Sequence, residues 1–357
     1  MSGRIGKSAN RWGKAVIEVR GKRISRRAFL RLILLGGIGA AAGVAEWGAR
    51  PAGVIRYLGW RVRGETVQRT GQAAVVGLGR CPSYSDDVLD CLIETWDLAG
   101  MPDVRGKRVL VKPNLIDFIE GYPITTATPV VAAVVDLLRR RGAGEIVVGD
   151  GPGFRRDALP VVEACGLAGA LAARKVPFVD LNYDDPRPVA AQDGWFFRAK
   201  ELWLPRHVRE AELIVSVPKL KTHHWAGVSL SLKNLFGIVP GARYGWPKNM
   251  LHFNGITPSI LGLYQTVRPV VAVVDGIVGM EGDGPLFGTE VPHGLLAVGA
   301  DPVAVDATCV ELMGLARFRV PHLEVAAWAG VGQMARIELR GAAADRLRWQ
   351  YQPPPAV

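Results

Sequence analysis

The chain has 357 residues, of which 49% are hydrophobic and 22% charged, a composition that is typical of globular proteins and excludes a disordered chain. Its formal charge of +11 would suit a nucleic-acid binder, but ten of its Lys and Arg residues lie in positions 1–31 beside a single acid, Glu18. The rest of the chain is nearly neutral and has no basic stripe to follow a phosphate backbone. We therefore expect no nucleic-acid partner.

The first predicted element is an export leader. Residues 25–31 read SRRAFLR, which is the pattern of a twin-arginine signal, and residues 32–45 follow without a charge. This uncharged run is shorter than the about 20 residues of a transmembrane helix. Small residues at Ala42 and Ala45 would permit cleavage. We expect the twin-arginine translocase as a partner during export, a periplasmic or other extracytoplasmic location, and membrane contact only through an uncleaved leader that acts as an anchor.

After a linker at 46–70, residues 71–345 predict a single α/β domain, followed by a Pro-rich tail at 346–357. Short β-branched runs alternate with helical patterns, as in parallel βαβ units. Strands are predicted at 74–77, 108–111, 145–148, 177–180, 213–217, 270–274 and 295–298, and helices at 84–98, 128–141, 159–174, 256–266, 302–313 and 322–328. The continuously apolar strands indicate a doubly wound, mainly parallel sheet with helices on both faces, built as one sheet or as two α/β lobes around a central crevice.

Two further segments have distinct patterns. Residues 195–197 and 202–204 predict a small hairpin before the fifth strand. Residues 239–255, rich in Gly and Pro, predict a long mobile loop that carries Trp246.

Polar residues follow several of the predicted strands. Ligands of open parallel sheets bind beyond the carboxyl ends of the strands. The residues at these ends include Lys112 and Asn114, Asp150 and Gly151, Lys219, Lys221 and His223, Asp275 and Glu281, and Asp301. Each group alone is ordinary turn or helix-start chemistry. Their coincidence at one edge favours a shared crevice.

Several of these runs also resemble a known family. VLVKPNLI, VPKLKTH, LSLKNLFGIVPG, DGIVGMEGDGP and GADPVAVDAT are similar to the bacterial and archaeal family called domain of unknown function 362, over residues 108–315. That family has no established general activity, so the resemblance implies a fold and a site but no reaction. Some members carry an added iron–sulfur segment with clustered cysteines.

The cysteines of this chain depart from that form. They are Cys81, Cys91, Cys165 and Cys309, which lie far apart without a Cys-x-x-Cys pair. We therefore expect no iron–sulfur cluster. An oxidising compartment would permit a disulfide between Cys81 and Cys91, and unpaired thiols are the alternative.

The lysines predict an anion pocket suited to a carboxylate or a phosphate. The predicted catalytic residues are Lys221, His223 and Lys233, and the predicted substrate-binding residues are Lys112, Asn114, Asp150, Gly151, Lys219 and Asn234. A lysine buried among other cations has a pKa lowered toward neutrality, as a general base or Schiff-base amine requires. A helix that starts near Ser231 would add backbone N–H donors to the same anion.

Acidic residues suggest a metal as well. Asp275, Glu281, Asp301 and Asp306 are candidate ligands of a divalent cation, for which oxygen donors favour magnesium, calcium or manganese. Their spacing matches no metal motif, and a buried ion-pair network is the alternative.

The leading functional hypothesis is an exported enzyme that acts on a small anionic molecule. The alternatives are a non-catalytic binder of a solute or cofactor, and an assembly or maturation factor that contacts a partner protein through the Trp246 loop.

Overall fold

The computed structural model describes residues 16–19, 22–25, 67–69, 71–154, 157–191, 195–196 and 199–355. The chain forms two compact units, residues 1–56 and 57–357. In the first unit, strand β1 (Val16–Val19) pairs antiparallel with β2 (Lys22–Ser25). The predicted arginine pair and the uncharged run after it lie outside the described residues. Within the described ranges, no helix is both long enough and apolar enough to cross a membrane.

The second unit alternates strands and helices. Its strands are β3 (Ala74–Arg80), β4 (Arg108–Pro113), β5 (Glu145–Asp150), β6 (Phe178–Asp180), β7 (Pro186–Ala190), β8 (Glu201–Pro205), β9 (Leu213–Val217), β10 (Lys219–His223), β11 (Gly227–Val228), β12 (Val270–Glu281), β13 (Thr289–Val291), β14 (Leu295–Gly299) and β15 (Ile337–Gly341). Its helices are α1 (Val88–Leu98), α2 (Thr128–Arg140), α3 (Leu159–Ala164), α4 (Leu167–Ala173), α5 (Arg206–Glu210), α6 (Ser231–Asn234), α7 (Gly241–Tyr244), α8 (Asn249–Phe253), α9 (Ile256–Val267), α10 (Pro302–Leu312) and α11 (Pro321–Ala329), with 3-10 turns at Leu235–Ile238, Arg317–Arg319 and Ala344–Leu347.

One sheet organises the second unit, in the strand order β15-β3-β14-β12-β9-β4-β5-β6. Strands β4, β5, β6, β9 and β12 run parallel, whereas β14 is antiparallel to both of its neighbours. The chain moves outward from β4 to β5 and β6, and then returns to β9 on the other side of β4. This reversal is a topological switch point, where open α/β sheets bind ligands. The predicted mainly parallel α/β fold is confirmed.

The central strands are mostly apolar because helices cover them. Val109 and Val111 of β4 and Val215 of β9 are buried in one core with residues of α1 and α2. Helix α2 has a proline in its first turn, where the missing N–H is not needed, and it ends with Arg139 and Arg140, whose charges suit the C-terminal end of the helix dipole. Each fully buried Val or Leu side chain contributes about 1.5–3 kcal/mol relative to an exposed one.

Two predicted helices have different bounds in the structure. Helix α1 begins at Val88 rather than at residue 84, because the Asp87 carboxylate caps it and accepts a hydrogen bond from Asp90 N at 3.0 Å. The helix predicted over 159–174 is divided into α3 and α4. Gly166, between them, adopts the left-handed conformation with φ +76°, which a helix interior does not permit.

The predicted hairpin is wrong in its first strand. Strand β8 pairs antiparallel with β7 (Pro186–Ala190) and not with residues 195–197. Prolines at 186 and 188 hid β7 from the sequence analysis, although a two-stranded ribbon tolerates them at edge positions.

The predicted loop and tail are also more ordered than the sequence indicated. Residues 239–255 contain helices α7 and α8. The predicted Pro-rich tail packs on the domain, because Tyr351 is buried and its hydroxyl lies 3.0 Å from His293 Nδ1. At the other end, the predicted linker contacts the domain through Gln68, which donates a hydrogen bond to Gly332 O at 2.7 Å.

Candidate functional site

A cavity of about 490 Å³ lies beyond the carboxyl ends of β4 and β5, at the switch point of the sheet. Its lining includes most of the residues predicted from the sequence: Lys112, Asn114, Asp150, Gly151, His223, Lys233 and Asn234. The fold therefore gathers side chains from three separated segments. Lys219 and Lys221 do not belong to the described lining.

Lys112 and Asp150 form a buried ion pair in the floor of the cavity. The Lys112 Nζ atom lies 2.6 Å from Asp150 Oδ1 and donates to Asn234 Oδ1 at 2.8 Å and to Pro113 O at 2.7 Å. Burial lowers the pKa of Lys112, while Asp150 opposes this shift. An ammonium group has three N–H donors. All three are used within the protein, so Lys112 joins β4, β5 and α6 and has no donor left for a substrate.

A glycine makes this ion pair sterically permissible. A Cβ atom on Gly237 would lie 2.1 Å from Asp150 Oδ1 and 2.6 Å from Lys112 Nζ, closer than real Cβ contacts. The Gly237 carbonyl also accepts a hydrogen bond from Gly151 N at 3.0 Å. The Asn-Leu-Phe-Gly run therefore ends in glycine because the chain passes directly over the ion pair.

Lys219 belongs to a second buried network. Its Nζ atom lies 2.7 Å from Asp275 Oδ2 and donates to the Tyr84 hydroxyl at 2.6 Å. Tyr84 in turn donates to Asp275 Oδ1 at 2.9 Å, and Ala127 N donates to Oδ2 at 2.9 Å. Burial lowers the pKa of Lys219, and Asp275 opposes it. This lysine holds β10, β12 and the segment before α1 together.

Lys221 is buried without a described carboxylate beside it. Its ammonium donates to the carbonyl oxygens of Ile124 and Pro285, the latter at 3.3 Å. Burial, followed by the charges of Lys219 and Lys233, lowers its pKa well below the usual value. Because Pro285 lines the cavity, Lys221 positions the cavity wall from behind.

Lys233 differs from the other predicted lysines because it faces the cavity itself. Its Nζ atom lies 4.0 Å from the centroid of the Phe236 ring. Among the residues that the structure describes, no hydrogen-bond acceptor or carboxylate contacts this ammonium. Burial, and then the charge of Lys112, lowers its pKa to about 7. Lys233 is therefore an amine available to a ligand and close to half-protonated at neutral pH.

The short helix α6 carries Lys233. The backbone N–H groups at the start of this helix bind a side chain of the protein and not the predicted anionic ligand. Ser231 N and Leu232 N each donate to the Asp306 carboxylate, at 2.9 Å. Burial raises the pKa of Asp306 to about 7, against the effect of these hydrogen bonds. A carboxylate of the protein thus occupies the helix start at which we expected a bound anion.

His223 is held as a neutral hydrogen-bond donor. Its Nδ1 atom accepts from Trp225 N at 3.1 Å and from Ala226 N at 3.3 Å, so the ring proton lies on Nε2. Burial and the charge of Lys233 lower its pKa well below the usual value. His223 therefore offers an Nε2–H group in the lining of the cavity.

Two other histidines have the opposite arrangement. His224 donates from Nδ1 to Gly284 O at 3.0 Å, and His252 donates from Nδ1 to Lys248 O at 3.1 Å. In the neutral form each ring therefore keeps its Nε2 lone pair as an acceptor. Burial lowers the pKa of His252, which favours this form.

Two buried polar atoms in the lining have no partner among the described residues: Asn114 Oδ1 and Ser229 Oγ. Most buried polar atoms in proteins are hydrogen-bonded, and an unpaired one costs about 1–3 kcal/mol. Both residues line the cavity, so these atoms are candidates to bond a ligand there.

The four acids predicted as metal ligands have separate roles. Asp275 pairs with Lys219, Asp306 accepts from α6, Asp301 accepts from Val303 N at 2.9 Å at the start of α10, and Glu281 accepts from Gln352 N at 2.8 Å. Across the described ranges, no group of three or more His, Cys, Asp or Glu side chains could hold a metal ion. The structure gives this predicted metal site no support.

The cysteines are free thiols. Cys81 and Cys91 are unpaired, so the disulfide that we considered is absent, and Cys165 and Cys309 are free as well.

Several residues that build the site were not predicted from the sequence. Lys248, which lines the cavity, donates to Asn182 Oδ1 at 2.5 Å and to Val239 O, and burial lowers its pKa to about 7. It lies with His252 in the segment predicted as a loop. Tyr84 was assigned to a helix. The available signal was the presence of Lys and His within a Gly- and Pro-rich segment, a composition that alone cannot show where their side chains point.

The fold and the cavity together define an α/β protein with a cavity at the switch point of its sheet. The profile described as Domain of unknown function (DUF362) matches residues 109–311. The chain is 31% identical over 255 residues to a thylakoid-associated protein of Synechocystis sp., a match that covers 70% of this chain and 77% of that protein. The chain therefore belongs to the DUF362 family, which confirms the resemblance noted in its sequence.

Two solved structures are similar in part. The lactate racemase apoprotein of Thermoanaerobacterium thermosaccharolyticum is 16% identical with a TM-score of 0.42, over 67% of this chain and 57% of that one. A Thermotoga maritima protein is 12% identical with a TM-score of 0.40, over 66% of this chain and 60% of that one. These likenesses are too distant to assign an activity.

Proposed function

We propose that this protein is an enzyme that acts on a small anionic substrate, a carboxylate or a phosphate, in the cavity beyond β4 and β5. The observation that carries the proposal is the joint presence of the Lys233 amine and the buried Asn114 and Ser229 atoms on one cavity. A bound anion with a hydrogen-bonding group would compensate the charge and satisfy both atoms.

Lys233 is the group that binds the anion and moves a proton. A general acid or base works best when its pKa lies near the operating pH, and the pKa of Lys233 is about 7. His223 has a different task, because its Nδ1 lone pair already accepts two backbone N–H groups. It orients the substrate by donating from Nε2.

The other predicted lysines support the site. Lys112 and Lys219 are positioning residues that fix the ends of β4 and β10 through their ion pairs. Lys221 positions the cavity wall through Pro285. Their contribution is rigidity, which keeps Lys233 and His223 at fixed places.

Titration calorimetry of the full chain tests the site, with acetate, propanoate and inorganic phosphate as probes. We expect Lys233→Met to weaken binding at least about tenfold, the loss expected when a charge-assisted hydrogen bond is removed. The exposed Lys175, before β6 at the opposite end of the sheet, supplies the control Lys175→Met, which should bind as the wild type does. Equal binding by Lys233→Met would overturn the proposal.

A non-catalytic binder is the second candidate, because the unsatisfied Asn114 and Ser229 atoms demand a ligand but not a reaction. Incubation of the protein with the acids that bind, followed by NMR of the small molecules, separates the two. If the wild-type protein binds an acid and never converts it, the result supports a non-catalytic binding protein. The third hypothesis, an assembly or maturation factor, would use Trp246 to contact a partner protein, and in the structure this ring lies beside Tyr183, with ring centroids 6.2 Å apart.

We also propose that the protein is exported by the twin-arginine route, on the basis of the SRRAFLR run and the uncharged stretch after it. The double variant Arg26→Lys/Arg27→Lys should remain in the cytoplasmic fraction of a bacterial host, while the wild type reaches the periplasm or the inner membrane. Normal export of the double variant would refute this assignment. The mass of the exported form would show whether cleavage occurs.

A further inference from the structure

The wall of the cavity above Lys233 is aromatic. Phe154, Trp225, Phe236 and Phe287 line the cavity, and three of these rings are exposed: Trp225 by 52%, Phe154 by 60% and Phe287 by 70%. Large apolar side chains gathered around one opening mark a binding surface, because a ligand that covers them removes apolar area from water.

A series of ring contacts connects the Lys233 amine to the exposed Trp225. Lys233 Nζ lies over Phe236, whose centroid is 6.0 Å from that of His252. His252 contacts Trp225 at 5.3 Å, and Trp225 contacts His224 at 4.9 Å, both nearly edge to face. Edge-to-face pairs contribute beyond their buried area.

The exposed Trp225 is therefore held in place. Two imidazole rings contact its indole, and its backbone N–H donates to His223. A ring that is fixed before binding loses little conformational entropy when a ligand stacks on it.

The size of the cavity argues against a very small ligand. Its volume of about 490 Å³ falls in the range of about 300–1,000 Å³ typical of sites for drug-sized molecules. A two- to four-carbon acid bound at Lys233 would leave the aromatic wall in water. The charge is informative too. Among the described residues of the lining, Lys233 presents an ammonium without a carboxylate or hydrogen-bonding partner, and one carboxylate suffices to engage it.

Building on the proposed function, we propose that the substrate is an aromatic carboxylate whose carboxylate binds Lys233 and whose ring lies against Trp225 and Phe287. The ring fills the aromatic wall, and the anion reaches the amine in the floor. The Asn114 and Ser229 atoms bond polar groups between these two ends.

Titration calorimetry with paired acids tests this substrate class. The pairs are 3-phenylpropanoate with propanoate and indole-3-acetate with acetate, and inorganic phosphate is a separate probe. We expect each aromatic acid to bind at least about tenfold more tightly than its parent, from the apolar area that its ring buries. Trp225→Ala and Phe287→Ala should remove most of this difference between each aromatic acid and its parent.

Phe318, which is 77% exposed and outside the cavity lining, supplies the control Phe318→Ala. This variant should keep the full preference for aromatic acids. Phe287→Ala keeps the test valid if Trp225→Ala fails to fold.

Two results would contradict us in different ways. If aromatic and parent acids bind equally and both depend on Lys233, or if phosphate binds best, the aromatic substrate is wrong and the anion site stands. If none of the probes depends on Lys233, the proposed function itself fails.

Discussion

Lys112 and Lys233 line the same cavity, but the protein uses them differently. The Lys112 ammonium is fully engaged by Asp150, Asn234 and a carbonyl oxygen. The Lys233 ammonium faces the cavity over Phe236, without such a partner in the described ranges. A lysine whose ammonium is engaged by a carboxylate or by carbonyl oxygens organises the fold, whereas a lysine without a described acceptor is available to a ligand. The comparison shows that pairing, rather than residue type, decides the role.

The largest effect is expected from a variant that breaks the Lys112–Asp150 ion pair and leaves the Lys233 amine intact. Asp150→Asn leaves Lys112 as an uncompensated buried charge, which should lower the free energy of unfolding by about 3–5 kcal/mol. Lys233→Met removes a poorly solvated charge that has no described ion-pair partner, so it should not lower the free energy of unfolding. Denaturant unfolding measures both. Equal losses in the two variants would contradict the distinction between the lysines.

A smaller effect is expected from crowding the pair. Gly237→Ala places a Cβ atom against Asp150 and Lys112, so we expect a loss of about 1–3 kcal/mol. The control is Gly169→Ala in α4, where an added Cβ meets no atom within 4 Å. Because alanine favours a helix, this variant should gain up to about 1 kcal/mol. Unfolding midpoints that shift alike would show that the close approach is unimportant.

The smallest effect concerns pH and sharpens the role of Lys233. Since its pKa is about 7, the ammonium that binds an anion is lost as the pH rises through 7. Above pH 7, the affinity for a carboxylate probe should therefore fall with a slope that approaches about tenfold per pH unit. Lys233→Arg keeps its charge and should bind with the same affinity up to pH 9. A flat wild-type profile would assign anion binding to another group.

The stability of the protein without a ligand should change with pH in the opposite direction to this affinity. An unfolded lysine keeps its proton up to about pH 10.4, whereas folded Lys233 releases it near 7. The unfolded state binds more protons between these values, so this group makes the free energy of unfolding rise with pH from 7 to about 10. In Lys233→Met that part of the rise should disappear, which unfolding experiments at pH 7 and 9 would show.

Much of the sheet could be predicted because a parallel strand covered on both faces is apolar at most of its positions. Strand β9 has the predicted bounds, and β4 and β5 extend only to the polar residues that form the site. Strand β7 escaped prediction because its prolines remove the apolar alternation, and α3 and α4 were joined because Gly166 does not by itself signal a break.

The site could be predicted as a location but not as a set of roles. Strand order brings Lys112, Asp150 and Lys233 to one cavity, as their positions after strands suggested. Nothing in the sequence distinguished the lysine that would meet a carboxylate from the one that would not. The acids predicted as metal ligands show the same limit, since Asp301 and Asp306 cap helices.

By itself the sequence determined the family, the α/β class and the edge of the sheet at which polar residues would gather. Those properties depend on local patterns of apolar and polar residues. Tertiary structure alone decided that Lys112 and Lys219 are paired, that Asp306 closes the start of α6, and that Lys233 remains available beside an aromatic wall. An ion pair requires two side chains from distant segments to meet within about 4 Å, and only the folded chain sets such distances.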